Sequence, residues 1–533
     1  MARPNILLIT TDQHHHSVIG INNPVVQTPN IDRLAKEGTV FTRAYCTNPT
    51  CTPTRASIIT GQYASQHGAW SLGTKLLEDV PTIGDALHKE GYQTALIGKA
   101  HFEPLKSTAE FKSLESYPIL QDEAFWKKFH GPYYGFDYIE LARNHTDEAH
   151  VGQHYALWME EKGLANWRDY FLKPTGTRTP FDQRRDAPLW PIPEKFHYNA
   201  WIAESSNKKL EEYARNKQPF FLWASFLDPH APRIVPDPWH KMYDPGKMEV
   251  PPLDPEEHRA NPPHFRYARK GYKSRNRFLN AWHAIMSLFS GITVARFYAD
   301  FRKHGVPMHG LHGVHPHMYN VDRLKTEIAA YFGMVSLIDK YIGEIVQNLE
   351  RLGLAENTIV IFTTDHGDFF GQHGLVTKGP FHYEDLVRIP FIVRCPELIP
   401  ANHSSDALQS LVDLPQTMLG LLGLPVPERM TGVDQSQVWL GKNESARDHV
   451  LVEMHHSPAL VHVKTYVNKR YKITAYNEAT YGELFDLQED PGEKHNLWND
   501  PAKVGLKSEL LFRLIQAEFE KDWQMHASRV RKN

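Results

Sequence analysis

The sequence predicts an α/β protein with a mixed, mainly parallel β-sheet between layers of helices, followed by a smaller α+β subdomain. Three observations predict this fold class. Short apolar strands alternate with helical segments in two blocks, as in parallel sheets covered on both faces. From about Arg447 closely spaced strands indicate an antiparallel sheet. With 533 residues, the chain is also too long for one ordinary core. We therefore predict a large α/β domain over residues 1–445 and a subdomain over residues 446–533.

The first block contains two predicted strands and two predicted helices. Residues 5–10 (NILLIT) and 93–98 (QTALIG) are apolar runs of strand length. Residues 28–38 (TPNIDRLAKEG) have the start signal, apolar spacing and terminal glycine of a capped helix. Residues 82–91 (TIGDALHKEG) predict a second helix.

The second block repeats this alternation. Residues 200–216 have helical spacing and lead to the strand 219–226 (PFFLWASF). A long amphipathic segment from 321 to 352 leads to the strand 358–364 (TIVIFTT), and residues 389–393 (IPFIV) predict one more strand.

The C-terminal part predicts a meander of antiparallel strands closed by a helix. The strands are expected over residues 449–456, 460–474 and 481–487, and the helix over residues 507–523. Two long segments rich in proline, histidine and aromatic residues, 103–197 and 251–320, are predicted insertions. They would shape a pocket mouth or a contact between the subunits of a homo-oligomer.

Composition excludes several classes of protein. A net charge of −3 gives no global attraction to nucleic acid or to acidic membranes. The apolar runs are far too short to span a bilayer. The N-terminus lacks the pattern of a secretory signal, so we expect a cytoplasmic protein. Three cysteines cannot form a disulfide framework, and we assign Cys46 and Cys395 to packing.

Polar clusters follow four of the predicted strands at their carboxyl ends. They are Asp12-Gln13, Lys99 with His101, Pro229-His230, and Asp365-His366. Lys99 and His101 would point to the same side in extended geometry. Because ligands of open α/β sheets bind beyond the carboxyl ends of the strands, the four clusters together predict one site.

The residue types of this site suit an oxyanion. Carboxylates and an imidazole are metal ligands, while lysines and histidines neutralise developing negative charge or carry protons. Helix capping is the alternative for the two aspartates. The predicted ligands are Asp12, Asp365 and His366, and the predicted cations or proton carriers are Lys99, His101, His230 and Lys378. We interpret the run His14, His15 and His16 as pocket lining or surface.

Cys51 occupies an unusual place for a thiol. It precedes Pro53 in residues 48–62 (NPTCTPTRASIITGQ), where proline suits the first turn of a helix. A helix N-terminus favours an anion and would hold a nucleophile against it.

Residues 51–61 (CTPTRASIITG) resemble the sulfatase signature Cys-x-Pro-x-Arg followed by Thr-Gly. Further segments resemble other blocks of that family in the same order: GKAH, DPHAP, DHGD, GLVTKG and ELFDLQEDPGEKHNL. The resemblance spans Pro4 to about Leu497, apart from the predicted insertions. It implies an alkaline-phosphatase-like fold and oxidation of Cys51 to formylglycine by a maturation enzyme.

The resemblance also implies an activity, the hydrolysis of aryl or alkyl sulfate monoesters through a covalent sulfoenzyme intermediate. One hydroxyl of the hydrated aldehyde would attack sulfur, while Arg55 holds the hydrate and the metal environment. His101 would take the proton of the second hydroxyl, and His230 would protonate the leaving oxygen. Sulfate would be bound by Lys99 and Lys378. One divalent metal would be held by Asp12, residue 51, Asp365 and His366, with Gln13 as a further candidate.

Two departures from the common sulfatase pattern matter. Asp12-Gln13 and Asp365-His366 stand where many members have Asp-Asp and Asp-Asn, as in the branch of choline sulfatases and phosphonate monoester hydrolases. An imidazole ligand suits Mn²⁺ or Zn²⁺ better than Ca²⁺. The alternative function is therefore hydrolysis of phosphonate monoesters or phosphodiesters with the same formylglycine, against which Lys99 and His101 argue. A non-catalytic anion-binding protein with an unoxidised Cys51 is the remaining alternative.

Overall fold

The computed structural model describes most of the chain. The described residues are 3–104, 106–143, 151–171, 189–252, 257–262, 265, 321–456 and 461–530. The second predicted insertion, 251–320, therefore lies almost wholly outside the described residues.

Eight strands form the main sheet of the described chain. They are β1 (Asn5–Thr11), β2 (Thr39–Phe41), β4 (Gln93–Gly98), β5 (Tyr138–Leu141), β6 (Phe220–Ser225), β7 (Thr358–Thr364), β9 (Phe391–Arg394) and β10 (His403–Ser405). Their spatial order is β10-β2-β9-β7-β1-β6-β4-β5. All neighbours pair in parallel except β9, which runs antiparallel to both β7 and β2. The predicted mixed, mainly parallel sheet is confirmed.

Helices connect the strands and cover the sheet. They are α1 (Pro29–Glu37), α2 (Cys51–Thr60), α3 (Ala64–His67), α4 (Ile83–Lys89), α5 (Glu123–Trp126), α6 (Gln153–Glu161), α7 (Tyr198–Asn216), α8 (Val321–Arg351), α9 (Glu384–Val387), α10 (Leu414–Leu421), α11 (Ser436–Trp439) and α12 (Val504–Val530). No described helix is both long and apolar enough to cross a membrane.

Both faces of the main sheet are packed. Successive side chains of β1 point to opposite faces, so that Ile6 and Leu8 join one hydrophobic cluster and Leu7 and Ile9 join another. The first cluster includes Ile58 and Ile59 of α2, and the second includes Trp201 of α7 and Ile338 of α8. A parallel sheet buried on both faces explains why its strands read as continuous apolar runs.

Two smaller sheets complete the described fold. A three-stranded sheet has the order β11 (Gln409–Ser410), β3 (Ala44–Tyr45) and β8 (Arg388–Ile389). A consecutive antiparallel meander forms the C-terminal sheet, against which Leu510 and Leu514 of α12 pack. The strands of the meander are β12 (His449–His456), β13 (Val461–Asn468), β14 (Tyr471–Tyr476) and β15 (Gly482–Asp486). The predicted C-terminal α+β part is confirmed, whereas its boundary at residue 445 stays a prediction.

The segment 103–197 contributes to the main sheet. Its strand β5 pairs in parallel with β4 and forms one edge of that sheet. Trp126 and Trp167 from the same segment are fully buried in the clusters on the two faces. This segment therefore supports the fold in addition to any contribution to a pocket.

Candidate active site

The carboxyl ends of the central strands bring the predicted residues together. Asp12 follows β1, Asp365 follows the neighbouring β7, and Lys99 follows β4. Backbone hydrogen bonds tie the ends of β1 and β4 to β6, which lies between them, since the N–H of Asp12 donates to the carbonyl of Asp228 and that of Lys99 donates to the carbonyl of Ser225, both at 3.0 Å. Lys99 Nζ then lies 2.5 Å from Asp12 Oδ2. One edge of the sheet thus gathers the site, as the sequence predicted.

Cys51 is the first residue of helix α2 and is 1% exposed. Its Sγ lies 2.8 Å from Lys378 Nζ, 3.3 Å from His366 Nε2 and 3.6 Å from Asp12 Oδ1. Asn48 fixes the preceding loop, since its side-chain oxygen accepts from the backbone N–H of Thr50 at 2.9 Å. The predicted start of the helix is confirmed, and it places the side chain of residue 51 at the centre of the site.

The electrostatic environment favours an anion at residue 51. Burial would raise the pKa of the Cys51 thiol, and so would Asp12, but Lys378 and Lys99 outweigh both and lower it. Burial would lower the pKa of Lys378, but Cys51 and Asp12 raise it, so the ammonium group stays charged. Any anionic group bound here would be stabilised by the same two lysines.

Four buried groups could hold a metal ion: Asp12, Cys51, Asp365 and His366, whose ligand atoms lie within 4.8 Å of one another. In both Asp12 and Asp365, the two carboxylate oxygens face different partners. The Oδ2 atoms face Arg55, at 3.3 Å for Asp12 and 2.9 Å for Asp365. The Oδ1 atoms face His366 Nε2, at 4.0 and 3.7 Å. Two carboxylate oxygens and an imidazole nitrogen on one side of Arg55 fit a divalent cation.

The orientation of His366 suits a ligand. Its Nδ1 lies 2.9 Å from the carbonyl of Gly367 and donates to it, which leaves Nε2 as the ring nitrogen that faces the two carboxylates and Cys51 Sγ. Burial would raise the pKa of Asp12, but Lys99, His230 and Arg55 hold it well below its usual range. The site therefore keeps an ionised carboxylate without contact with bulk water.

Lys378 and His230 lie next to each other in the site. Lys378 Nζ lies 2.9 Å from His230 Nε2 and 3.2 Å from His366 Nε2. His230 donates from Nδ1 to the carbonyl of Ala231 at 2.6 Å. Its Nε2 therefore accepts from Lys378, which brings a proton carrier next to the ammonium group.

The backbone conformation of His101 differs from the predicted one. Strand β4 ends at Gly98, and His101 has a φ of 61°, so the extended geometry assumed for Lys99 and His101 was wrong. Burial, Arg143 and Lys99 lower the pKa of His101 well below its usual value. The imidazole is therefore neutral near pH 7 and can accept a proton.

The side chain of Gln13 binds a carboxylate outside the cluster of Asp12, Cys51, Asp365 and His366, which is called the four-group cluster below. Its Nε2 donates to Asp368 Oδ2 at 2.6 Å, and Asp368 pairs with Arg233 at 2.6 Å. Sequence reasoning missed this buried ion pair. Asp368 was visible in the segment DHGD, but nothing in the sequence marked Arg233.

The first two of the three consecutive histidines make separate contacts. His14 is fully buried, with ring nitrogens 3.2 Å from Thr11 Oγ1 and 2.8 Å from the carbonyl of Val18, so it does not lie on the surface. His15 contacts Asp385 at 2.9 Å.

Cys46 and Cys395 are buried in one hydrophobic cluster, which confirms their packing role.

The model of the family described as sulfatase matches residues 4–424. The chain belongs to the sulfatase family. A second model, of the C-terminal part of N-sulphoglucosamine sulphohydrolase, matches residues 371–520 of this sulfatase. The predicted family is therefore confirmed, and the protein is a sulfuric ester hydrolase.

Relatives cover nearly the whole sulfatase. An arylsulfatase of Clostridium perfringens is 27% identical, over 93% of this chain and 90% of the relative. A choline-sulfatase of Rhizobium meliloti is 24% identical, over 98% of this chain and 88% of the relative. The solved phosphonate monoester hydrolase of Agrobacterium radiobacter has a TM-score of 0.72 at 22% identity, covering 97% of this chain and 96% of that chain. This last likeness confirms the alkaline-phosphatase-like fold.

Proposed function

We propose that this protein hydrolyses aryl or alkyl sulfate monoesters with formylglycine formed from Cys51. The observation that carries the proposal is the position of Cys51 Sγ. It lies at the buried start of α2, 2.8 Å from Lys378 Nζ and within 4 Å of Asp12 and His366. A nucleophile at this place would meet an ester whose sulfate oxygens are held by Lys99 and Lys378.

The first half of the reaction transfers the sulfo group to residue 51. One hydroxyl of the hydrated aldehyde forms a bond to sulfur, and the bond from sulfur to the ester oxygen breaks. The proton of that hydroxyl replaces the one that Lys378, 2.8 Å from the side chain of residue 51, passes to His230. His230 supplies a proton to that oxygen, so that a neutral alcohol or phenol leaves. The Nε2 of His230 accepts from the Lys378 ammonium group at 2.9 Å, so Lys378 can supply the proton that His230 delivers.

The second half regenerates the aldehyde. His101 accepts the proton of the remaining hydroxyl, the carbon–oxygen bond to the sulfo group breaks, and sulfate leaves. His101 then releases its proton to solvent, and water rehydrates the aldehyde. Because its pKa is lowered, the imidazole of His101 is neutral and has an unprotonated ring nitrogen to receive this proton.

A divalent cation would be held by Asp12, Asp365, His366 and the oxygen of residue 51, and it would supply Lewis-acid stabilisation of negative charge. We propose Mn²⁺ over Ca²⁺, with Zn²⁺ as the third candidate, because His366 presents a nitrogen to the site. Arg55, which is 0% exposed, orients both carboxylates.

A maturation enzyme that oxidises Cys51 is part of this proposal. The test combines peptide mass spectrometry across residues 44–55 with sulfate release from nitrophenyl sulfate. We expect an aldehyde or its hydrate at residue 51 and turnover in proportion to the modified fraction. Full turnover by protein that carries only the thiol would refute the mechanism.

Hydrolysis of phosphonate monoesters is the second candidate. The observation in its favour is His366 Nε2 beside the two carboxylates, with Gln13 in the place of a second aspartate. The test compares kcat/KM for nitrophenyl sulfate and a nitrophenyl phenylphosphonate on matured enzyme. If the phosphonate ester is preferred by more than about tenfold, or about 1.4 kcal/mol in the barrier, the second candidate replaces the first.

A further inference from the structure

A buried carboxylate holds the backbone that presents His101. Glu115 is 1% exposed and accepts hydrogen bonds from three consecutive backbone N–H groups. His101 donates to Oε2 at 3.0 Å, and Phe102 and Glu103 donate to Oε1 at 2.8 and 3.2 Å. These bonds fix the orientation of three successive peptide groups.

The conformation of His101 needs such support. Its φ of 61° lies in the left-handed region, which a residue with a β-carbon seldom adopts. Such a conformation persists where the surroundings over-determine it. On the other side of this short segment, the carbonyl of Lys99 accepts from Arg55 Nη1 at 2.9 Å. Arg55 and Glu115 therefore hold the segment from both ends.

Glu115 is itself fixed on several sides. Arg143, which is 5% exposed, donates to Oε2 at 2.5 Å, and Tyr133 donates from its hydroxyl to Oε1 at 3.0 Å. The carboxylate of Glu103 accepts from the backbone N–H of Leu114 at 2.5 Å. The two segments thus bind each other reciprocally, and Glu115 has little freedom to move.

The ring of His101 depends on this backbone for its direction. A histidine that acts on a substrate is usually oriented by a hydrogen bond to its second ring nitrogen. Among the described residues, the buried Nδ1 of His101 has no hydrogen-bond partner. The ring therefore takes its direction from the peptide groups that Glu115 holds.

We propose that Glu115 is a positioning residue, which directs the imidazole of His101 at residue 51 without touching the substrate. The inference rests on the role of His101 in the proposed function. It assigns a functional task to a segment that the sequence predicted to be an insertion.

The test is a double-mutant cycle with Glu115→Gln and His101→Ala on matured enzyme. The amide of glutamine would turn N–H groups toward backbone donors or Arg143, so the peptide groups would reorient. We expect Glu115→Gln to lower kcat by at least about tenfold with little change in KM, and to lower it by less than about twofold when His101 is already alanine. An equal loss in both backgrounds would overturn the proposal.

Asp339→Asn is a matched control for loss of stability. Asp339 is a buried carboxylate that also accepts from backbone N–H groups, those of Asn30 and Ile31 at 3.1 and 2.8 Å. It lies on α8 and binds the start of α1. We expect a lower melting temperature and unchanged kcat, and a loss of kcat equal to that of Glu115→Gln would count against positioning.

A readout without turnover separates this inference from the proposed function. We expect Glu115→Gln, but not Asp339→Asn, to shift the imidazole NMR signals of His101 in labelled protein. Unshifted signals would overturn the positioning role even in active enzyme. If matured wild-type protein releases no sulfate, the proposed function fails while the NMR result still decides the role of Glu115. If Glu115→Gln does not fold, Glu115→Asp replaces it in the double-mutant cycle and in the NMR measurement, because it keeps the negative charge on a side chain that is shorter by one carbon.

Discussion

Asp365→Asn is expected to abolish metal binding and turnover and to lower the free energy of unfolding. Asp365 is fully buried, and its Oδ2 accepts from Arg55 Nε at 2.9 Å. Its Oδ1 accepts from the backbone N–H of Gln13 at 3.0 Å and faces His366 Nε2 at 3.7 Å. The substitution removes one negative charge from the four-group cluster and half of the charge that neutralises Arg55.

The magnitude follows from the separation of the charges. Charges 2.9 Å apart attract by about 6 kcal/mol at an effective dielectric constant of about 20. Breaking a buried pair by removing one partner costs about 3–5 kcal/mol in measured cases. Because Asp12 still pairs with Arg55 at 3.3 Å, we expect a loss near the lower figure.

Three measurements test this prediction: metal content by mass spectrometry, the free energy of unfolding in urea, and kcat. Asp368→Asn is the matched control. Asp368 is equally buried and pairs with Arg233 at 2.6 Å, but it lies outside the four-group cluster. We expect the control to lose comparable stability while it retains metal. Full metal content and turnover in Asp365→Asn would refute the assignment of this residue as a ligand.

Three other substitutions have distinct expected outcomes. Cys51→Ala should abolish turnover but change the free energy of unfolding by less than about 1 kcal/mol, because a small residue is accepted at a helix start. A folded and active variant would contradict the role of residue 51 as the nucleophile. Lys378→Ala should lower kcat by about 10²–10³, as expected when a donor to developing negative charge is removed, and a change in KM alone would contradict this role. Burial raises the pKa of Glu483 from 4.5 to about 7, so the folded state binds its proton more tightly than the unfolded state. The unfolding free energy of the wild type should therefore fall relative to Glu483→Gln as the pH rises through this interval, and parallel stability curves would show that the shift is absent.

The residues at the strand ends of the site could be predicted from the sequence because each polar cluster directly follows its apolar strand in the chain. Apolar runs ending in Asp12 and in Asp365 needed only the rule that parallel strands end at one edge. Cys51 was placed correctly for a similar reason, since Pro53 marks the first turn of α2.

Contacts between distant segments were not readable. The pair of Asp368 and Arg233 joins residues 135 positions apart, and no local pattern announces it. The left-handed backbone of His101 also depends on Glu115, which lies in another segment. Periodicity reports which face of an element is buried, but it does not report which side chains meet across a core.

The complete burial of helix α2 has a consequence for biosynthesis. All ten of its residues are buried, and Asn48 in the loop before it donates to the carbonyl of Glu453 in strand β12. In the proposed mechanism, the enzyme that oxidises Cys51 must therefore reach the thiol before the chain folds. Glu453 leaves the ribosome about 400 residues after Cys51, which at about 5–20 residues per second leaves an interval of roughly 20–80 s. Oxidation has to be completed within that interval or on a chain kept open, and protein that folds first would be trapped with its thiol.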